Sequence, residues 1–182
     1  QQLPAPFRPK LHRDSAVAGV CLIRLEHIRP RFVPAALGIT SEIAAHRIAV
    51  VWDEAGEQRE GVFIPRRDSD SVLNHLAGGR LFPGEHSRAH FDVVDSGERV
   101  DLHMRSLDGA VSVDLESTLG TRLPTTSTFE SLDEASRFFQ AGALGYSLTS
   151  ECNRFDGIHL ATKTWSVAPL DVQRAHSSFF AD

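Results

Sequence analysis

The chain is poor in lysine. Only Lys10 and Lys163 occur, in a sequence otherwise rich in arginine. This scarcity weighs against chemistry that needs a pair of neighbouring amines. Cysteine is scarce too: Cys21 and Cys152 stand far apart with no CxxC spacing. They read as two buried, reduced thiols of a cytoplasmic protein. No basic surplus exists, since the net charge is −5, and this argues against non-specific nucleic-acid binding. No run approaches the ~20 apolar residues of a membrane span. The opening QQLPAPFRPK reads as neither a signal peptide nor an amphipathic targeting helix. A phosphate-binding Walker lysine, a dinucleotide fingerprint, a GxSxG elbow and an HExxH pair are all missing, so no cofactor is expected. His86 and His90 are four apart. On a strand that leaves them ~13 Å apart, so no metal is expected either.

What is present is globular composition: 182 residues, 41% apolar and 24% charged, enough for one domain with a real core. Residues 1–16 contain Pro4, Pro6 and Pro9 and read as an extended lead-in. Ala16 to Leu25 reads as a buried strand. Ser41 to Trp52 is the next strand, with Glu42, Ala44, His46, Ile48, Val50 and Trp52 on one face. The polar DEAGEQREG segment forms a hairpin loop, and Gly61 to Pro65 returns as its second strand. Asp68 to Ala77 can form a short helix ended by Gly78 and Gly79. In the strand that follows, Ala89, Phe91 and Val93 face one way and Arg88, His90 and Asp92 the other. Val100, Leu102 and Met104, then Val111, Val113 and Leu115, alternate around Asp108-Gly109, a strong hairpin signature. Ser131 with Glu134 resembles a capping box, and Leu132, Ala135, Phe138 and Phe139 form a helical stripe stopped at Gly142 or Gly145. Residues 158–167 and 169–176 read as two more strands. About eight strands and two short helices make an α+β, predominantly β fold. Its antiparallel sheet is curled or closed into a barrel.

The stretch richest in possible chemistry is Leu76 to Phe91, LAGGRLFPGEHSRAHF, where glycines and Pro83 constrain Arg80, Glu85, His86 and Arg88. Glu42 and His46 share a strand face but lie ~13 Å apart by strand rise, so they can line one pocket without pairing directly. Arginine forks suit carboxylates, and Arg80, Arg88, Arg66 and Arg67 are the available partners. For Glu42 or Arg80 alone, the competing reading is a structural ion pair. Pro65 to Asp70, PRRDSD, reads as a solvated turn rather than an anion site.

Seven segments resemble the YqjF-like bacterial family of unknown function, within the acetoacetate decarboxylase-like superfamily. They are GVCLIRLEHIRP, SEIAAHRIAV, GVFIPRRDSDS, GGRLFPG, LDEASRFFQAGALGYS, FDGIHLATKTWSVAPL and SSFFAD. The resemblance covers nearly the whole chain, in order. It implies a heavily bent β-barrel with a central pocket. Against that pattern the chain lacks a leading strand segment and a C-terminal tail, as a fragment would. The parent signature is a GGRE-type turn followed by Pro-Lys-Lys, whose lysine forms a Schiff base with a keto acid. Gly78, Gly79 and Arg80 match the turn. Leu81 replaces its glutamate, and PGEHSR, Pro83 to Arg88, holds no lysine. Arginine stays protonated and cannot substitute. The expectation is thus a pocket binding a small acidic or carbonyl metabolite without Schiff-base chemistry. Arg80 would position the anion, His46 and Arg88 would line the pocket, and Glu42 with Glu85 or His86 would act as acid and base. The alternative is a non-catalytic binding or scaffold module on the same fold. Homo-oligomers would be in keeping with the superfamily.

Overall fold

The structure, a computed structural model, describes residues 3–29, 32, 34, 38–71, 84, 86–149 and 154–181. It is predominantly β with one helix among those residues, and the main sheet curls into a half-barrel. In chain order the strands are β1 (Arg8–Pro9), β2 (Leu11–His12), β3 (Ser15–Ala16), β4 (Ala18–Ile28), β5 (Ile39–Glu54), β6 (Glu57–Ser69), β7 (His86–Asp95), β8 (Arg99–Ser106) and β9 (Ser112–Leu119). After helix α1 (Leu132–Ala141) come β10 (Leu144–Leu148), β11 (Phe155–His159) and β12 (Leu170–Ser177). The path across the sheet is β1-β5-β6-β7-β8-β9-β12, with β4 also on β5 and the β10–β11 pair attached to β6.

β6 is where the sheet divides. One edge pairs with β5 along its length. The other takes β10 at Val62 and Phe63, then β7 at Arg67, Asp68 and Ser69. The change of partner coincides with a bulge: His46 pairs with Arg66 but Ile48 with Phe63, so Ile64 and Pro65 together oppose Arg47. Proline has no N–H for a sheet ladder and sits in strands at bulges or edges. Pro65 therefore falls where neither neighbour asks for its hydrogen bond. β10 approaches so closely at this fork that a methyl group on Gly61 would run into the carbonyl oxygen of Leu144.

Both core clusters lie on one side of β5. Ala44 packs with Ala89, Leu102, Met104, Val111 and Val113. Phe7, Val50, Trp52 and Phe63 form the second, with the Phe7 ring 5.6 Å from Trp52 and 5.1 Å from Phe155. Each such buried side chain contributes roughly 1.5–3 kcal/mol. The alternation read in Val100–Leu115 holds in β8, where Leu102 and Met104 are buried and His103 and Arg105 exposed; in β9 Asp114 is buried as well as Val113, because His103 and Arg105 bond its carboxylate. Helix α1 begins as its sequence requires. Ser131 Oγ accepts from the Glu134 N–H at 3.1 Å, while Glu134 reaches back to the Glu130 N–H rather than to Ser131. Gly142 is its C-cap.

Several expectations change. The sheet is not wholly antiparallel, because the two junctions at the β6 fork, with β7 and β10, are parallel. The solvated turn expected at Pro65–Asp70 is instead the end of β6, with Arg67, Asp68 and Ser69 buried. Separate partners let them enter the interior: Arg66 and His46 hold Asp68, and Arg67 donates to Ser147 Oγ. The expected hairpin loop shrinks to Ala55-Gly56, both at positive φ as a two-residue turn needs, and its flanking charges extend the strands. The lead-in carries β1 and the small β2–β3 hairpin. Residues 160–169 are not strand. Of the helix expected at Asp68–Ala77, Asp68 and Ser69 belong to β6 and residues 72–77 lie outside the described residues.

Candidate functional site

Strand pairing decides which side chains can meet, because successive residues of a strand project to opposite faces. Leu22, Ala44, Asp68 and Ser87 form one row across β4, β5, β6 and β7. Cys21, Ala45, Arg67 and His86 form the next, on the other face. Glu42 and His46 share the face of Ala44. His86 and Arg88 share the face of Arg67. The sheet therefore stands between two halves of the expected site. Arg80 and Glu85 lie outside the described residues.

On the Ala44 face the expected residues have partners. Glu42 pairs with Arg24 at 2.6 Å, not with Arg66, Arg67 or Arg88. The Glu42 N–H donates to Asp70 Oδ1 at 3.0 Å. His46 and Asp68 are both fully buried, 3.2 Å apart, and the imidazole lies against the Phe179 ring at 4.4 Å. Arg66 donates to both oxygens of Asp68, at 2.7–3.0 Å, and on to Asp108 at 2.9 Å. Asp108 in turn is held down to about 2 by hydrogen bonds from Ser106 and the Ala110 N–H and by Arg66. With Nε2 of His46 turned to Asp68, its Nδ1 has no hydrogen-bond partner among the described residues.

The other face is different. His86 is buried, level with buried Arg67 on β6, whereas Arg88 and His90 on the same side of β7 are exposed. Arg67 is buried and donates to Ser147 Oγ. Its guanidinium is pushed down to about 10 by burial first and then by the charge of Arg47, against the pull of Asp156. Gly84, at φ +83°, passes so close that a methyl there would meet Arg67 Nη1 at 2.6 Å.

Next to this cluster lies a cavity of about 690 Å³. Its floor is β4, β5 and β6, through Gly19, Cys21, Ile23, Arg47, Ala49 and Val62. Its cover is α1, through Phe138 and Phe139, and the segment bearing Leu160 and Trp165. Trp165 Nε1 donates to Ser136 Oγ at 2.7 Å, tying the two parts of the cover together. The wall is mostly apolar, with two cations. Lys10 is paired with Glu60 at 2.8 Å and lies over the Phe138 ring at 4.6 Å. Arg47 has no ion pair, and its buried Nε has no hydrogen-bond acceptor among the described residues. Lys163 is exposed. Cys21 is a free thiol at the cavity wall, and Cys152 lies outside the described residues.

On β5 the sequence points to Glu42 and His46 and not to Arg47, the next residue. The signal was one step out of phase: in SEIAAHRIAV, Ala45 and Ala49 flank Arg47 on its own face. Small neighbours around a lone charge leave room beside it. No three histidine, cysteine, aspartate or glutamate side chains converge as a metal centre among the described residues. Likewise, no helix among them is long and apolar enough to cross a membrane. Compared with protein-family models, curated proteins and solved structures, the chain finds no match.

Proposed function

We propose that this protein binds a small acidic metabolite in the cavity beneath α1, with Arg47 as the anion anchor. The reading keeps the chemistry expected from the YqjF-like resemblance, a pocket in an acetoacetate decarboxylase-like fold without the Schiff-base lysine. It moves the anchor from the Gly78-Gly79-Arg80 turn to β5. The observation that carries it is Arg47: a guanidinium in an apolar-walled cavity, without an acceptor for its buried Nε among the described residues. A guanidinium without a counter-ion in such a wall is the fork that a ligand carboxylate fits. The volume falls within the ~300–1,000 Å³ typical of small-molecule sites. Binding without turnover is the form the observations favour, since on the opposite face Glu42 is paired with Arg24 and His46 is bonded to Asp68. The second reading, a scaffold module, draws on the same engagement of Glu42 and His46.

The test is a thermal-shift screen of small carboxylates, keto acids and aldehydes on the wild type and on Arg47→Met. A ligand at ~100 times its dissociation constant adds roughly 2.7 kcal/mol of stability. The expected result is stabilisation by carboxylates that disappears in a folded Arg47→Met protein. Stabilisation that survives the substitution would sink the proposed anchor, and silence across the panel favours the scaffold reading.

A further inference from the structure

Resting on that binding site, we infer that its ligand is an amphipathic monocarboxylate: one anionic head on Arg47 and an apolar body under α1. The charge of the cavity limits the head to a single anion. Of the two cations in its wall, Lys10 is already neutralised by Glu60 at 2.8 Å, and its ammonium rests on the Phe138 ring. That leaves Arg47 to meet an incoming negative group. A second carboxylate held against Phe138, Phe139 and Trp165 would find no second free cation in the wall and would give up part of its hydration there.

The shape limits the body. At about 690 Å³ the cavity is much larger than a short keto acid, and away from Arg47, Lys10, Gln140 and Thr162 its surface is aromatic and aliphatic. Room is built in at Gly19, which pairs with Arg47 across β4 and β5. A Cβ placed on Gly19 meets no atom within 4 Å. A glycine inside a strand with open space above it is what close approach of a ligand uses. The same openness supplies a control: Gly19→Leu enters the cavity without displacing backbone.

The experiment is calorimetric titration of the purified chain with hexanoate, octanoate and decanoate. Octanedioate, 2-oxobutanoate and neutral octanol are titrated alongside. Affinity is expected to rise about four-fold per added methylene along the series. Octanedioate is expected to bind at least about ten-fold more weakly than octanoate. Arg47→Met should lower octanoate affinity at least about ten-fold while leaving octanol unchanged. Gly19→Leu, folded by circular dichroism, should abolish both. If 2-oxobutanoate or octanedioate binds as tightly as decanoate and still depends on Arg47, the ligand class is wrong and the anion site stands. Affinities that ignore Arg47→Met, or no binding by any of these probes, overturn the class and the site together. A concentration-dependent dimer that Gly19→Leu dissolves would show a second copy in the cavity and also overturn both.

Discussion

His46 and Arg47 are neighbours in the chain, yet they project from opposite faces of β5 and end in opposite electrostatic states. His46 is sealed with Asp68, and Arg66 and Asp108 continue the pairing outward to the surface. Arg47 faces a cavity and has no ion pair among the described residues. The first arrangement is what a fold needs in order to bury charge: every charge answered, and little left for a ligand. The second is what a binding site needs, a charge left unanswered until something arrives. Density of polar residues was therefore a poor guide here, because the denser cluster is the more fully paired one.

The sharpest way to break this contrast is to remove one partner on each face. Asp68→Ala leaves Arg66 and His46 without their buried carboxylate, and it should cost about 3–5 kcal/mol in urea denaturation. Arg47→Met should do the reverse without ligand, raising stability by about 1 kcal/mol, because it removes a buried unpaired donor. A large loss in Arg47→Met would mean that Arg47 is structural and that the two faces do not differ as described.

Ser131→Ala tests the cavity side alone. Loss of the Ser131 cap should cost about 1 kcal/mol, and it should loosen α1 where Phe138 and Phe139 cover the cavity. Hydrogen exchange should quicken in α1 and leave β8 and β9 unchanged. Quickening across the whole sheet would show that the cover and the core open as one unit.

The smallest effect is in acid. Asp108 is held at about 2, below its ordinary 3.8, so its folded form holds the proton less tightly than the unfolded chain does. Its contribution is present above pH ~4 and is lost as the pH falls from there toward ~2. Half-exposed Asp108 is screened by water, which keeps the effect modest. Asp108→Asn should flatten this part of the acid-stability curve. An unchanged slope would mean that the bonds of Asp108 with Ser106, Ala110 and Arg66 together contribute nothing to folding.

Much of the fold was legible because its causes are local. Alternation in Val100–Leu115 marked β8 and β9, and Ser131 with Glu134 marked the start of α1. The order of Glu42, Ala44 and His46 along one face of β5 was also readable, as a consequence of strand period alone. The buried end of β6 was misjudged because PRRDSD is polar by composition. Only its partners, His46 against Asp68 and Ser147 against Arg67, show why those charges can be inside.

The sequence by itself determined which side chains share a face and where α1 starts. These follow from backbone geometry within a few residues. Tertiary structure alone decided which face would be covered by core and which by α1 and Trp165. It also decided that β6 would change partners at Pro65, and that the residue left unpaired would be Arg47 rather than His46. Those outcomes depend on segments a hundred residues apart arriving at the same strand. No local pattern of charge or hydrophobicity records which of two adjacent residues will find its counter-ion.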